Sequence, residues 1–178
     1  MVHTKTKRKN GDERRDRILE ILRQSTEPVT GGELADKMSV SRQIIVQDIS
    51  LLKAKEHPII ATSQGYMYLA QQKSSSKERI IACRHSAKET RHELNLIVDR
   101  GVTVKNVTVE HPLYGEITVS LMIRNRLDVI RFMNKIEQTG ASLLSSLTDG
   151  THLHLLEAPS DSMLDEAVQA LERAGYLL

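Results

Sequence analysis

Apolar residues Ile18, Leu19, Ile21 and Leu22 form a stripe at helical spacing within residues 12–24, which predicts an amphipathic helix. Thr30 and Glu33 stand three apart, the spacing of a capping box. A second helix then carries Leu34, Ala35 and Met38. Ser39-Val40 makes a short turn, and Ser41 caps a third helix reaching to about Lys55. There Ile45, Ile49 and Leu52 fall at i, i+4 and i+7 and face a core. Beyond Pro58, residues 59–62 and 66–69 flank Ser63-Gln64-Gly65 and read as a hairpin.

Helix, helix, short turn, helix and hairpin is the order of a winged helix-turn-helix. After it, residues 71–77 carry no apolar side chain and read as a linker. The expected layout is a basic arm at 1–10, a winged helix-turn-helix at 11–71, a linker at 72–77 and a second domain at 78–178. In that domain residues 79–84, 102–110, 116–123, 143–146 and 152–155 read as strands, and 86–99, 127–138 and 160–174 as helices. The order β-α-β-β-α-β, with extra elements, suggests helices on one face of an antiparallel sheet. The predicted fold class is α+β throughout, with a ferredoxin-like type of second domain.

Composition narrows the function classes. The chain has 178 residues and 39% hydrophobic content, enough for ordinary cores. No apolar run approaches a membrane span, and the basic N-terminus has no apolar stretch behind it, so no secretory signal is expected. A single cysteine, Cys83, excludes an intrachain disulfide framework and any multi-cysteine zinc site. It reads as a small buried strand residue, with a thiolate ligand as the lesser alternative. The simplest compartment is the cytoplasm.

The net charge of +2 hides an asymmetry. Residues 1–75 hold 13 Lys/Arg against 9 Asp/Glu, and residues 76–178 hold 12 against 14. Lys5, Lys7, Arg8, Lys9, Arg14, Arg15 and Arg17 form a basic cluster that would attract a polyanion, or simply be a solvated terminus. The third helix offers Ser41, Arg42, Gln43, Gln47 and Lys53, and the hairpin Gln64. Arg suits guanine edges and Gln adenine edges in the major groove. The stretch from Glu33 to Lys53, with Glu33-Leu34-Ala35, Val40-Ser41-Arg42-Gln43, Asp48-Ile49 and Leu51-Leu52, resembles the helix-turn-helix of the biotin repressor and many bacterial regulators.

Five of the seven histidines fall in the second domain: His85, His92, His111, His152 and His154. His152 and His154, two apart on a strand, point to one face. His85 lies where a strand gives way to a helix, and Glu93 follows two turns after the Ser86 cap. Three imidazoles and a carboxylate make a set for one divalent transition metal such as zinc or nickel. The competing reading is a polar strand face with unrelated surface histidines. An open metal position could also activate water in a hydrolase, although Glu89 and Asp149 have sufficient roles as a helix cap and a turn. A metal-sensing regulator is a third reading.

The segments His85-Ser86, Arg91-His92-Glu93-Leu94, His111-Pro112-Leu113-Tyr114-Gly115 and Asp149-Gly150-Thr151-His152-Leu153-His154 resemble the 3H domain, a small-molecule-binding domain named for three histidines. Joined to a winged helix-turn-helix, it resembles the nicotinate-responsive repressors of NAD biosynthesis and niacin salvage in Gram-positive bacteria. The resemblance implies a metal on His85, Glu93, His152 and His154, and nicotinic acid as corepressor. Arg84, Arg91, His92, His111 and Tyr114 become candidate effector contacts. It further implies double-stranded operator DNA with an inverted repeat as partner. A homodimer through residues 78–178 is expected from the apolar helix residues Val129, Ile130 and Met133.

Overall fold

A computed structural model describes residues 3–69 and 76–178. The chain forms two compact units, Met1–Lys73 and Ser74–Leu178. Most of the expected linker lies outside the described residues, and Lys77 already belongs to a strand.

In the first unit, α1 runs His3–Gln24, α2 Gly31–Met38 and α3 Arg42–Ala54. A hairpin of β1, Ile59–Thr62, and β2, Gly65–Tyr68, follows. The first helix starts nine residues before the expected Asp12. Its early Lys, Arg and Thr residues tolerate helix, and no proline interrupts them. The α2 capping box forms as its spacing predicts: Glu33 N–H donates to Thr30 Oγ1 at 3.1 Å, and Thr30 N–H to Glu33 Oε2 at 2.7 Å. Ser41 caps α3 by accepting from Ile44 N–H at 3.4 Å.

Ile18, Leu22, Leu34, Ile45, Ile49 and Leu52 fill one core. Val29 bonds both ways with Tyr66, at 2.9 and 2.8 Å, and so adds a third short strand to the hairpin. That contact requires Gly65, whose φ is +147°. A Cβ there would stand 2.6 Å from Val29 O.

Arg14 and Arg15, assigned to the basic cluster by sequence, turn inward. Arg14 Nε donates to Asp48 Oδ2 at 2.6 Å, and Arg15 to Asp48 Oδ1 at 3.0 Å. Asp48 is buried, so these two arginines fasten α1 to α3 and are withdrawn from any external anion. Truncating the carboxylate would leave Arg14 without its counter-charge and Arg15 with Asp12 alone. Asp48→Ala should therefore destabilise this unit by about 2–4 kcal/mol, read as a lower urea midpoint with loss of hydrogen-exchange protection in α1.

In the second unit the elements are β3, Lys77–Arg84; α4, Thr90–Val98; β4, Thr103–His111; β5, Gly115–Ile123; α5, Arg126–Thr139; β6, Thr151–Ala158; and α6, Asp161–Arg173. One antiparallel sheet orders them β3-β6-β4-β5, so the last strand inserts between the first two. Ile81, Cys83, Leu156 and Ala158 on its inner face share a core with Leu94, Ile97, Leu164 and Leu171 from the helices. Val129 is fully buried in that core and Met133 packs against it. Of the three apolar α5 residues expected at a dimer surface, Ile130 alone stays exposed.

Two local expectations change. Residues 143–146, expected as a strand, belong instead to a short 3-10 turn, Leu144–Thr148. Thr148 Oγ1 donates to Ser145 O there, a local bond that competes with a ladder. The expected helix at 86–99 begins as a 3-10 turn over Ala87–Glu89, where Ser86 N–H donates to Glu89 Oε2 at 2.8 Å.

Candidate metal centre

Strand β6 alternates strictly, and its buried positions begin with His152 and His154. Its register on β3 sets Cys83 opposite His152. His85 follows directly on β3, and Glu93 sits in the first turn of α4, facing the sheet. Glu93 is fully buried, and the three imidazoles are nearly so. Its carboxylate lies 2.8 Å from His85 Nε2, 3.2 Å from His152 Nε2 and 3.6 Å from His154 Nε2. The four residues that spacing suggested thus meet at one point.

The second nitrogen of each ring fixes its chemistry. His85 Nδ1 lies 2.9 Å from Ser86 O, His152 Nδ1 2.8 Å from Gly150 O, and His154 Nδ1 2.7 Å from Asn106 O. A carbonyl only accepts, so each Nδ1 carries the hydrogen. In the neutral rings every Nε2 is then a bare lone pair. A protonated ring instead donates from it, as the His152 Nε2–Glu93 Oε1 hydrogen bond at 3.2 Å allows; in either case the buried carboxylate needs a positive partner. His85 Nε2 and Glu93 Oε2 are not aligned as a hydrogen bond, and neither makes another among the described residues. Burial opposes the charge on Glu93, yet the surrounding imidazoles outweigh it and hold the carboxyl well below the usual range. Burial likewise opposes protonation of His85, and Glu93 outweighs it, raising the imidazole. A divalent cation satisfies all four groups at once, with each Nδ1–H bond orienting its ligand.

Backbone geometry holds this arrangement. The β4–β6 register shifts between Val104 and Asn106, and this bulge releases Asn106 O to His154. Gly150 O receives both His152 Nδ1–H and His85 N–H, the latter at 3.4 Å. Gly150 has φ +87°, and a Cβ there would strike the His85 carbonyl.

The remaining candidates scatter. Arg84 shares a cavity of about 560 Å³ with His85, Ser86, Ser145, Ser146 and Asp149, and its side chain has no partner among the described residues. Arg91 reaches Glu137 at 3.5 Å. His92 Nδ1 meets Tyr176 OH at 2.8 Å, and the Tyr176 ring lies 5.0 Å from that of His85. His111 accepts from Leu113 and Tyr114 N–H at the β4–β5 tip, where Tyr114 is 73% exposed. Sequence reasoning missed Tyr176, Asn106 and Gly150 as supports. A glycine two residues before His152 was a usable signal; the others depend on tertiary pairing.

On the first unit, Ser41, Arg42, Gln43, Gln47 and Lys53 are all exposed along α3. Gln64 occupies the hairpin turn, its N–H bonded to Thr62 Oγ1 at 3.1 Å.

Comparisons bear on both units. The 3H domain model matches residues 78–178 and the HTH domain model residues 14–67. The transcription repressor NadR of Bacillus subtilis (strain 168) is 56% identical over 170 residues, 94% of each chain. The probable transcription repressor NiaR of Thermotoga maritima is 39% identical over 177 residues, 99% of this chain and 98% of the other. The chain belongs to the NadR/NiaR family of transcription repressors. A member of this family is a DNA-binding transcription repressor and not an enzyme, which sets the hydrolase alternative aside. Glu89 and Asp149, the acid–base candidates of that alternative, do serve as a turn cap and a C-cap. Among the described residues no helix is long and apolar enough to cross a membrane.

In this repressor Gly150 O joins the His152 imidazole to the His85 main chain. Gly150→Ala should lower stability by about 1–3 kcal/mol and displace the ring resonances of both His85 and His152. A thermal melt combined with imidazole NMR checks this.

Proposed function

We propose that this repressor controls genes of NAD biosynthesis and niacin uptake in the cytoplasm, with nicotinic acid as corepressor at a divalent metal held by His85, Glu93, His152 and His154. The observation that carries the reading is the convergence of three imidazole Nε2 atoms on a buried carboxylate. A bound metal would supply an electrophilic site suited to the borderline pyridine nitrogen of nicotinate.

The nicotinate carboxylate needs a cation or N–H donors. Arg84 lines the cavity beside His85 with no partner among the described residues, but it leaves β3 on the face opposite Cys83 and His152, so meeting a metal-bound nicotinate would need its side chain to turn round the strand end. Arg91 and His92 already have partners, which makes them supports in this reading. His111 and Tyr114, at the hairpin tip, are the more distant candidates for an effector contact.

On DNA, Arg42 and Gln43 at the start of α3 reach base edges, Gln47 follows one turn on, and Ser41, Lys53 and Gln64 serve the backbone. One winged helix covers a half-site, so a homodimer formed through residues 78–178 would engage an inverted repeat. Nicotinate favours the dimer geometry that seats both recognition helices. By linkage, operator DNA then tightens nicotinate binding by the same factor.

His152→Ala should reduce metal content and abolish the nicotinate effect while sparing non-specific DNA binding. Metal analysis and calorimetric titration of nicotinate on one sample, followed by footprinting, read both. Continued gain of operator affinity by a metal-free His152/His154 double variant would refute the proposal. Arg42→Ala should cost about 1–3 kcal/mol of specific binding and relax sequence preference.

A further inference from the structure

Cys83 is the sole thiol of the chain, and its place in the sheet gives it chemistry that spacing did not reveal. Its neighbour Arg84 faces the other side of β3, while Cys83 shares the inner face with His152, its cross-strand partner. The residue is completely buried. Its Sγ, a Glu93 carboxylate oxygen and a His152 ring nitrogen all lie within 4.8 Å of one another. Burial pushes the thiol up from its ordinary value, and Glu93 adds to this. The Glu93 carboxylate lies beside the thiol. Within the same cluster, His85 Nε2 and Glu93 Oε2 are buried and without a hydrogen-bond partner.

An inert core cysteine has apolar atoms around its sulfur. This sulfur instead borders a carboxylate and an imidazole that both face a common centre. We infer that Cys83 is a fifth protein donor to the metal. On coordination the S–H bond breaks, the proton passes to solvent, and the sulfur lone pair goes to the cation.

A thiolate beside three imidazoles moves the site's preference towards borderline and soft cations, zinc, nickel and cobalt, and away from magnesium, calcium and manganese. It also leaves fewer positions for an effector than four protein donors would. The inference rests on the metal reading above, and one experiment separates the two.

The full chain is titrated with Co(II) and followed by absorption. Visible ligand-field bands report the imidazole and carboxylate site, and a near-ultraviolet sulfur-to-cobalt charge-transfer band reports Cys83. Both should appear together at one equivalent. In Cys83→Ala and in the bulkier Cys83→Val the charge-transfer band should vanish and the ligand-field bands persist, with zinc affinity reduced at least tenfold. Ligand-field bands without charge transfer in the unaltered chain would overturn the Cys83 assignment and leave the metal reading standing. An absence of both bands at saturating Co(II) would overturn the two together. Because the unaltered chain alone can refute the assignment, a variant that failed to fold would not shield it.

Discussion

The second unit depends on one buried carboxylate, Glu93, with three imidazole Nε2 atoms gathered around it. Each ring is pinned through Nδ1 to a different main-chain carbonyl, one after β3, one in the turn before β6 and one in the β4 bulge. None can turn away without stranding a buried N–H, at a cost of about 1–3 kcal/mol. The strands therefore hold the donors in place whether or not anything neutralises them. A pre-positioned donor set of this kind loses little conformational entropy on binding a cation. Its own stability then rises with the concentration of whatever binds.

That arrangement explains the departures from ideal sheet geometry. The β4 bulge lets Asn106 give its carbonyl to His154 while its side-chain oxygen accepts from Leu155 N–H at 3.1 Å. The displaced Lys105 is recovered by Glu78 and Glu157, at 2.5 and 2.7 Å. Bulges commonly re-aim a group next to a functional site. In the first unit the organising charge is Asp48, whose burial is tolerable only because two guanidiniums meet it. The two units share a logic: a buried carboxylate collects groups from elements far apart in sequence.

Legibility followed the range of the interactions. Caps and apolar periodicity are local, so the α2 and α3 boundaries and the hairpin could be read nearly to the residue. The 3H-type histidines could be read because strand alternation alone puts His152 and His154 on one face. Three features could not. The inward turn of Arg14 and Arg15 depends on Asp48, more than thirty residues away. The proximity of Cys83 to Glu93 depends on β6 inserting between β3 and β4, an order that no local pattern encodes. The 3-10 turn at 144–148 has the apolar content of a strand, and its Ser and Thr side chains decide otherwise.

The last three residues have a consequence for association. Arg84 N–H bonds to Tyr176 O at 2.8 Å, and Leu178 N–H to Ala82 O at 3.1 Å, with a bridge between Cys83 and Leu177. Residues 176–178 thus cover the Ala82–Arg84 end of the outer margin of β3 and occupy main-chain groups there that would otherwise recruit a foreign strand. An uncovered sheet margin is a template for uncontrolled pairing, and here it would lie beside the histidine cluster. On the described residues the opposite margin, β5, remains open, with Val119 exposed among Thr118 and Ser120. Strand addition is therefore blocked at the end of β3 nearest the histidine cluster, and loss of residues 176–178 would uncover it.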